Sequence, residues 1–181
     1  MLPSLQVNAL AAPGGYIVVF RGLLEQTRDP EELAGILAHE MQHVLQRHTT
    51  QALIQHTSTG LLLAALTGDM TGPLAYGLQS ARVLGQLQYS RRAEAQADAE
   101  GMKMLLAARI DPAGMIRFFE ALTKGDKQPR TALKYLSTHP SPADRIERLK
   151  ALAAQSPDAP IPLLLDSDWD DLKKICSGPG G

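Results

Sequence analysis

A chain of 181 residues, 44% of them hydrophobic, is long enough for one domain with a substantial core and too short for two ordinary ones. Its net charge of -1 and its aromatic content of 4% give no basic footprint or stacking platform for nucleic acid, and basic residues gather no further than Arg91-Arg92. The single cysteine, Cys176, excludes an internal disulfide framework and a thiolate metal cluster, which leaves histidine and carboxylate as metal ligands.

Met1-Leu2-Pro3 lacks the basic leader and long apolar run of an export signal. The longest apolar run, Leu61 to Leu66, is about a third of the ~20 residues a membrane-spanning helix needs. No span is expected, and the abrupt start suggests a longer precursor. Residues 2 to 21 read as a strand-turn-strand unit, with Pro13-Gly14-Gly15 as the turn and Tyr16 to Phe20 as the clearest strand. Gly22-Leu23-Leu24-Glu25 makes a short helical turn. Asp29-Pro30-Glu31-Glu32 is then a helix start: Asp29 caps, Pro30 suits the first helical position, and the two glutamates complement the positive end of the helix dipole.

The helix that follows, through LAGILAHEMQHVLQRH, carries His39 and His43 about 40° apart on one face, one turn above each other, where both can reach one metal ion. Glu40 flanks that face, close enough to take a proton from a metal-bound water without being a ligand. Leu33, Leu37, Met41 and Val44 fall within about 80° of each other on the opposite side, the expected core face. By the same step His48 lies about 140° from His43, so it is expected to be an ordinary cap or packing residue. His56, a lone histidine, carries no assignment.

Residues 57 to 87 are apolar but broken by glycines and Pro73, and read as a loose helical hairpin, packing element or lid, with membrane contact as the functional alternative. A strong helix is expected from about Ser90 to Arg109, with Glu94 and Asp98 on one face and Ala95, Ala97, Ala99 and Gly101 keeping its surface shallow. Asp111-Pro112 opens a helix that carries Met115, Ile116, Phe118 and Phe119 to the core. Pro140 and Pro142 stiffen a loop that holds His139 outside regular structure, and Ser141 with Asp144 offers a capping box to the helix of Arg145, Ile146 and Leu149. Residues 1–154 therefore read as one domain. Residues 155–181 read as a Pro-rich tail with one short helix at Trp169 to Ile175 and a frayed end.

Two histidines make half a zinc site. Glu94, 51 positions after His43 on a separate helix, is the best candidate for the next ligand, and Asp98 one turn on is placed to accept the free ring N–H of His39. The plain alternative for both carboxylates is a solvated acidic face paired with Arg91 or Arg92.

HEMQHVLQRH, SRRAEAQAD and STHPSPADRI, in that order, together with the opening VNALAAPGGYIVVFRGLL, resemble the HtpX-like and CAAX-prenyl-protease-like zinc metallopeptidases of peptidase family M48, closest to the soluble envelope-associated bacterial branch. The resemblance implies a zincin-like α+β fold, mainly helical, in which a small antiparallel sheet packs on the His-Glu-x-x-His helix and a second helix brings the glutamate ligand. It implies one Zn2+ per chain held by His39, His43 and Glu94, with Glu40 as general base and Asp98 behind the ligands. His139 would lie near the scissile carbonyl, or in a latent state would be the fourth ligand, and Arg145 would assist on the same side. Asn8 and Ala9 resemble, more weakly, the edge-strand segment that pairs with substrate. Gln42 departs from the family pattern, where a small residue often stands. The implied protein is an endopeptidase of unfolded or misassembled polypeptides in the bacterial envelope, periplasmic or membrane-associated, with peripheral membrane contact through 57–87. Two other readings compete with it: a zinc-containing, chaperone-like binding module whose site is closed by His139, and a metal-free helical interaction domain.

Overall fold

The computed structural model describes residues 6–55, 58, 88–123, 132–140, 144–155, 158–164 and 166–174. Near the N-terminus, β1 (Ala9–Ala12) and β2 (Tyr16–Val19) form a two-stranded antiparallel sheet, with Ala9 opposite Val19 and Ala12 opposite Tyr16. Gly14 and Gly15 turn the hairpin at φ 92° and 91°, values that residues with a Cβ rarely adopt. A short helix, α1 (Arg21–Gln26), leads to the start signal at Asp29. There the Asp29 carboxylate accepts from the Glu32 N–H at 2.8 Å and Pro30 opens α2 (Pro30–Leu45), as the local chemistry predicts.

Helices α3 (Arg91–Ala107), opened by the Ser90 side chain accepting from the Ala93 N–H, and α4 (Ala113–Thr123) pack on α2. Then come α5 (Ala132–Thr138), α6 (Arg145–Ala153) and α7 (Asp166–Lys174). Among the described residues the chain is mainly helical with one small sheet, the α+β class expected. Its core joins Leu23 and Leu24 of α1, Ile36 of α2, Met102 and Leu105 of α3 and Met115 of α4.

Small residues set the helix spacing. A Cβ on Gly35 would lie 2.6 Å from the Met115 Cβ, and one on Gly101 would lie 3.3 Å from the Ala38 carbonyl and the His39 nitrogen. Helices α3 and α4 therefore close over the histidine side of α2. This reverses the expected division of the helix: His39, Glu40 and His43 lie on the most buried side, whereas Met41 is 41% exposed and Leu37 and Val44 are only partly buried. Leu33 alone of the expected core face is fully inside. The amphipathic pattern misleads because the polar side chains of this face are gathered with Glu94, Asp98 and Arg145 into one buried cluster, an arrangement that apolar periodicity does not register.

Four further expectations differ. Helix α2 ends at Leu45, and Arg47 at φ 56° turns the chain before the backbone becomes helical again at 48–55. Helix α5 extends through Leu136 to Thr138, so the irregular segment begins only at His139. Asp144 sits at the N-cap of α6 without a side-chain capping bond, and Ser141 lies outside the described residues. Helix α7 starts three residues before Trp169. His56, the 57–87 hairpin apart from Ser58, and Cys176 also lie outside the described residues. Among those described, no helix is long and apolar enough to cross a membrane.

Candidate metal centre

Three elements converge on one point. Helix α2 brings His39 and His43, α3 crosses it at Gly101 and brings Glu94 and Asp98, and the residue after α5 is His139, whose N–H is anchored to the Tyr135 carbonyl at 2.9 Å. His39, Glu40, His43, Glu94, His139 and Arg145 are all 0% exposed.

The two Nε2 atoms of His39 and His43 face each other at 3.1 Å. Glu94 reaches His43 Nε2 with Oε1 at 3.3 Å and His39 Nε2 with Oε2 at 3.4 Å. His139 Nδ1 lies 3.1 Å from Glu94 Oε1 and 3.4 Å from His39 Nε2. Glu40 stands beside this group, its Oε1 3.4 Å from His139 Nε2.

Behind the group, His39 Nδ1 lies 3.0 Å from Asp98 Oδ1, and Arg145 Nη2 donates to the same oxygen at 2.6 Å. Arg145 Nη1 also approaches Glu94 Oε2 at 3.6 Å while its guanidinium stacks on the Phe119 ring at 3.5 Å. Arg145, expected to assist on the side of His139, lies against the Asp98 and Glu94 carboxylates, with no exposure of its own. Asn8 is buried with its backbone carbonyl accepting from the Phe20 N–H, and Ala9 pairs with Val19 in β1.

Sequence reasoning missed five contributors: His48, Gln96, Tyr89, Thr49 and Tyr135. His48 was expected to point away, but the turn at Arg47 folds it back so that its Nδ1 lies 3.0 Å from His43 Nδ1, and its Nε2 lies 3.3 Å from Gln96 Oε1. Tyr89 stacks on the His43 ring at 3.8 Å, and its hydroxyl bonds Thr49, which in turn donates to the Ala11 carbonyl of β1. Tyr135 stacks on His139 at 4.5 Å and donates weakly to Glu40 Oε1 at 3.5 Å. Of these only Tyr135 had a local signal, its four-residue helical spacing from His139.

The electrostatics show what the group lacks in protein partners. Burial lowers the His39 pKa, but the charges and hydrogen bonds of Glu94 and Asp98 outweigh it and raise it to about 9. Burial also drives His43 down to about 3, against a hydrogen bond that the Glu94 carboxylate accepts. Burial likewise lowers His48. Burial opposes ionisation of Glu94, yet the charges of His139 and His39 hold its carboxyl well below the ordinary range. The buried carboxylates thus favour positive charge in the cluster, and in the metal-free chain a proton on His39 supplies it.

A metal ion fits the same requirement. Four donor atoms, from His39, His43, Glu94 and His139, lie within 4.8 Å of one another. The closest approaches among these residues, 3.1 to 3.4 Å, are near the ~3.3 Å donor spacing that bonds of ~2.0–2.2 Å to a central ion give. Buried Glu40 Oε2, Glu94 Oε2 and His139 Nε2 make no hydrogen bond, which is costly in a site without further cationic or polar partners. With Asp98 behind His39, the arrangement of a paired-histidine helix, a glutamate from a second helix and a small sheet is zincin-like.

Comparison with known sequences bears on this geometry. The chain is 34% identical over 145 residues to the mitochondrial metalloendopeptidase OMA1 of Schizosaccharomyces pombe, covering 79% of this chain and 42% of that protein. It is 30% identical over 156 residues to the OMA1 of Saccharomyces cerevisiae, covering 81% and 44%. With the beta-barrel assembly-enhancing protease of Escherichia coli it shares 28% identity over 160 residues, 83% and 33% of the two lengths. It therefore spans less than half the length of these relatives. The sequence profile of peptidase family M48 matches residues 1–153. That match runs from the hairpin through both histidines, Glu94 and His139 to the helix of Arg145, and the chain belongs to peptidase family M48.

Proposed function

We propose that this chain is the catalytic domain of a zinc-dependent endopeptidase that hydrolyses peptide bonds of unfolded or misassembled polypeptides. The observation that carries the proposal is the four-donor cluster of His39, His43, Glu94 and His139 with a fifth buried group, Glu40, beside it and outside the donor set. The three relatives compared above are each named as a protease or endopeptidase, and an envelope location for this chain is part of the same proposal.

His39, His43 and Glu94 would hold the ion. Zinc bound there supplies Lewis acidity, polarising the scissile carbonyl and bringing the pKa of water toward ~7. The residues of the chain do the rest. Glu40 takes the proton as water oxygen adds to the carbonyl carbon, and returns it to the amide nitrogen as the C–N bond breaks. Asp98, held by Arg145, accepts the Nδ1–H of His39 and keeps its Nε2 lone pair on the cluster. Arg145 serves as a positioning residue that balances Asp98 and Glu94. The backbone of Asn8 and of Ala9, the first residue of β1, would give an extended substrate a strand to pair with, which favours broad sequence selectivity.

One observation favours a latent form of the same site. His139 Nδ1 lies within 3.1 to 3.4 Å of Glu94 and His39, which supports its serving as a fourth protein donor. Substrate would gain the cluster when His139 withdraws, after which its imidazole is placed to donate to the oxyanion. A non-hydrolytic binding module closed by His139 would share this geometry.

The deciding experiment is Glu40→Gln. It should bind zinc like the parent, one ion per chain, and cleave an unfolded protein substrate at least ~10²-fold more slowly. Undiminished cleavage would remove Glu40 from the mechanism. Should the parent and His139→Ala both bind zinc yet hydrolyse nothing, the binding-module reading would replace the peptidase.

A further inference from the structure

We propose that His48 and Gln96 form a relay that fixes the tautomer and ring plane of His43, making His48 a positioning residue of the metal centre. The inference rests on the metal reading above and concerns a side of the site that Asp98 does not touch.

His43 presents Nε2 to the cluster, so to offer a lone pair there it must carry its proton on Nδ1. That proton needs an acceptor, and the nearest is His48 Nδ1 at 3.0 Å. Acceptance at Nδ1 places the proton of neutral His48 on Nε2, which points at Gln96 Oε1, 3.3 Å away. A carbonyl oxygen only accepts, so the chain has one self-consistent polarity: His43 Nδ1–H donates to His48, and His48 Nε2–H donates to Gln96. Both nitrogens of a 5% exposed imidazole are thereby used. The two zinc histidines are then held by different means, His39 by a buried carboxylate and His43 by a neutral relay ending on an exposed amide.

The backbone is built to deliver the relay. The turn at Arg47, φ 56°, sets His48 and Thr49 side by side. His48 meets the edge of the His43 ring, while Thr49 bonds the hydroxyl of Tyr89, which covers the ring's face at 3.8 Å and 15°. Edge and face are fixed from the same turn.

The test compares zinc affinities by chelator competition, with the metal ion alone as ligand, in the parent, His48→Leu, His48→Asn, Gln96→Leu and Gln96→Glu. Losing the acceptor should weaken zinc binding by ~10–100-fold in His48→Leu. His48→Asn, whose Oδ1 replaces Nδ1 as acceptor, should recover most of it. Gln96→Glu, able only to accept, should bind at least as tightly as the parent, and Gln96→Leu more weakly. In the zinc-loaded parent, a slowly exchanging His43 Nδ1–H proton should appear in ¹⁵N-resolved spectra and be lost in His48→Leu. If His48→Leu folds and binds zinc like the parent, the relay is overturned and the metal reading stands. Should His48→Leu not fold, equal affinities in Gln96→Leu and Gln96→Glu overturn it, since Gln96 is exposed. A parent that binds no zinc would overturn the metal reading itself, and the relay with it.

Discussion

His39 and His43 lie one helical turn apart, yet their pKa values move in opposite directions, to about 9 and about 3. The difference is one of company: His39 has two carboxylates, while His43 has Glu94, a tyrosine face and a neutral relay. In the metal-free protein this fixes a pH profile of stability. A histidine raised above its unfolded value of 6.5 contributes stability below pH 6.5, which is lost as pH rises through about 9. One lowered below 6.5 contributes above pH 6.5, and this is lost as pH falls toward about 3. Metal-free protein should therefore be most resistant to urea near pH 6.5 and weaken on both sides. Zinc should abolish the alkaline limb, because a ligating His39 carries no proton on Nε2. An unchanged alkaline limb after zinc loading would place the metal elsewhere. Arg145 has a separate consequence. Removing it in Arg145→Leu takes the guanidinium from buried Asp98 and Glu94 and leaves His39 as their remaining cation, at a cost of about 3–5 kcal/mol by urea unfolding of the metal-free form.

The elements keep these residues together through close contact. Helix α3 meets α2 at Gly101, seven residues after Glu94, where an added Cβ would press on the Ala38 carbonyl and the His39 nitrogen at 3.3 Å. Backbone cannot turn aside as a side chain can, so Gly101→Ala should push the helices apart by a few tenths of an ångström. The expected result is a loss of about 1–3 kcal/mol in urea together with weaker zinc binding, since Glu94 moves with α3. The same contacts explain what sequence could reveal. Asp29-Pro30, Ser90 and the His39-Glu40-x-x-His43 spacing are local signals, and the hairpin and the starts of α2 and α3 follow from them. The buried face of α2 does not, because close contacts at Gly35 of α2 and Gly101 of α3 decide it and the apolar stripe through Met41 points the other way. Nor does His48, because the idealised helix runs straight through Arg47, a non-glycine residue in the left-handed region. Tyr89 and Gln96 enter through contacts 40 or more residues distant in sequence, which no periodicity encodes.

At the scale of the whole molecule, residues 155–181 read as a tail in sequence, set apart by proline and by low hydrophobicity. Several contacts tie this stretch to the helical body. The Ile161 N–H donates to the Arg109 carbonyl at 2.8 Å, and the Arg109 guanidinium to the Ala159 carbonyl. Trp169 of α7 is 5% exposed in the core cluster and donates from its indole to the Arg28 carbonyl, just before the cap of α2. That point is ten or more residues from His39 along the chain, so the tail braces the beginning of the helix that carries the histidines. If the docking is integral to the fold, Trp169→Ala should cost about 3–5 kcal/mol, in the range of buried tryptophan truncations. Trp169 is the one tryptophan of the chain, so its emission reports the parent's unfolding directly, with far-UV dichroism following the variant. Both probes should give a single coincident transition in the parent. An indole signal that changes at lower urea than the helical signal would mean that the tail undocks first, as a separate unit. Zinc stoichiometry in folded Trp169→Ala should remain one per chain, because no donor atom of the cluster touches this end of α2.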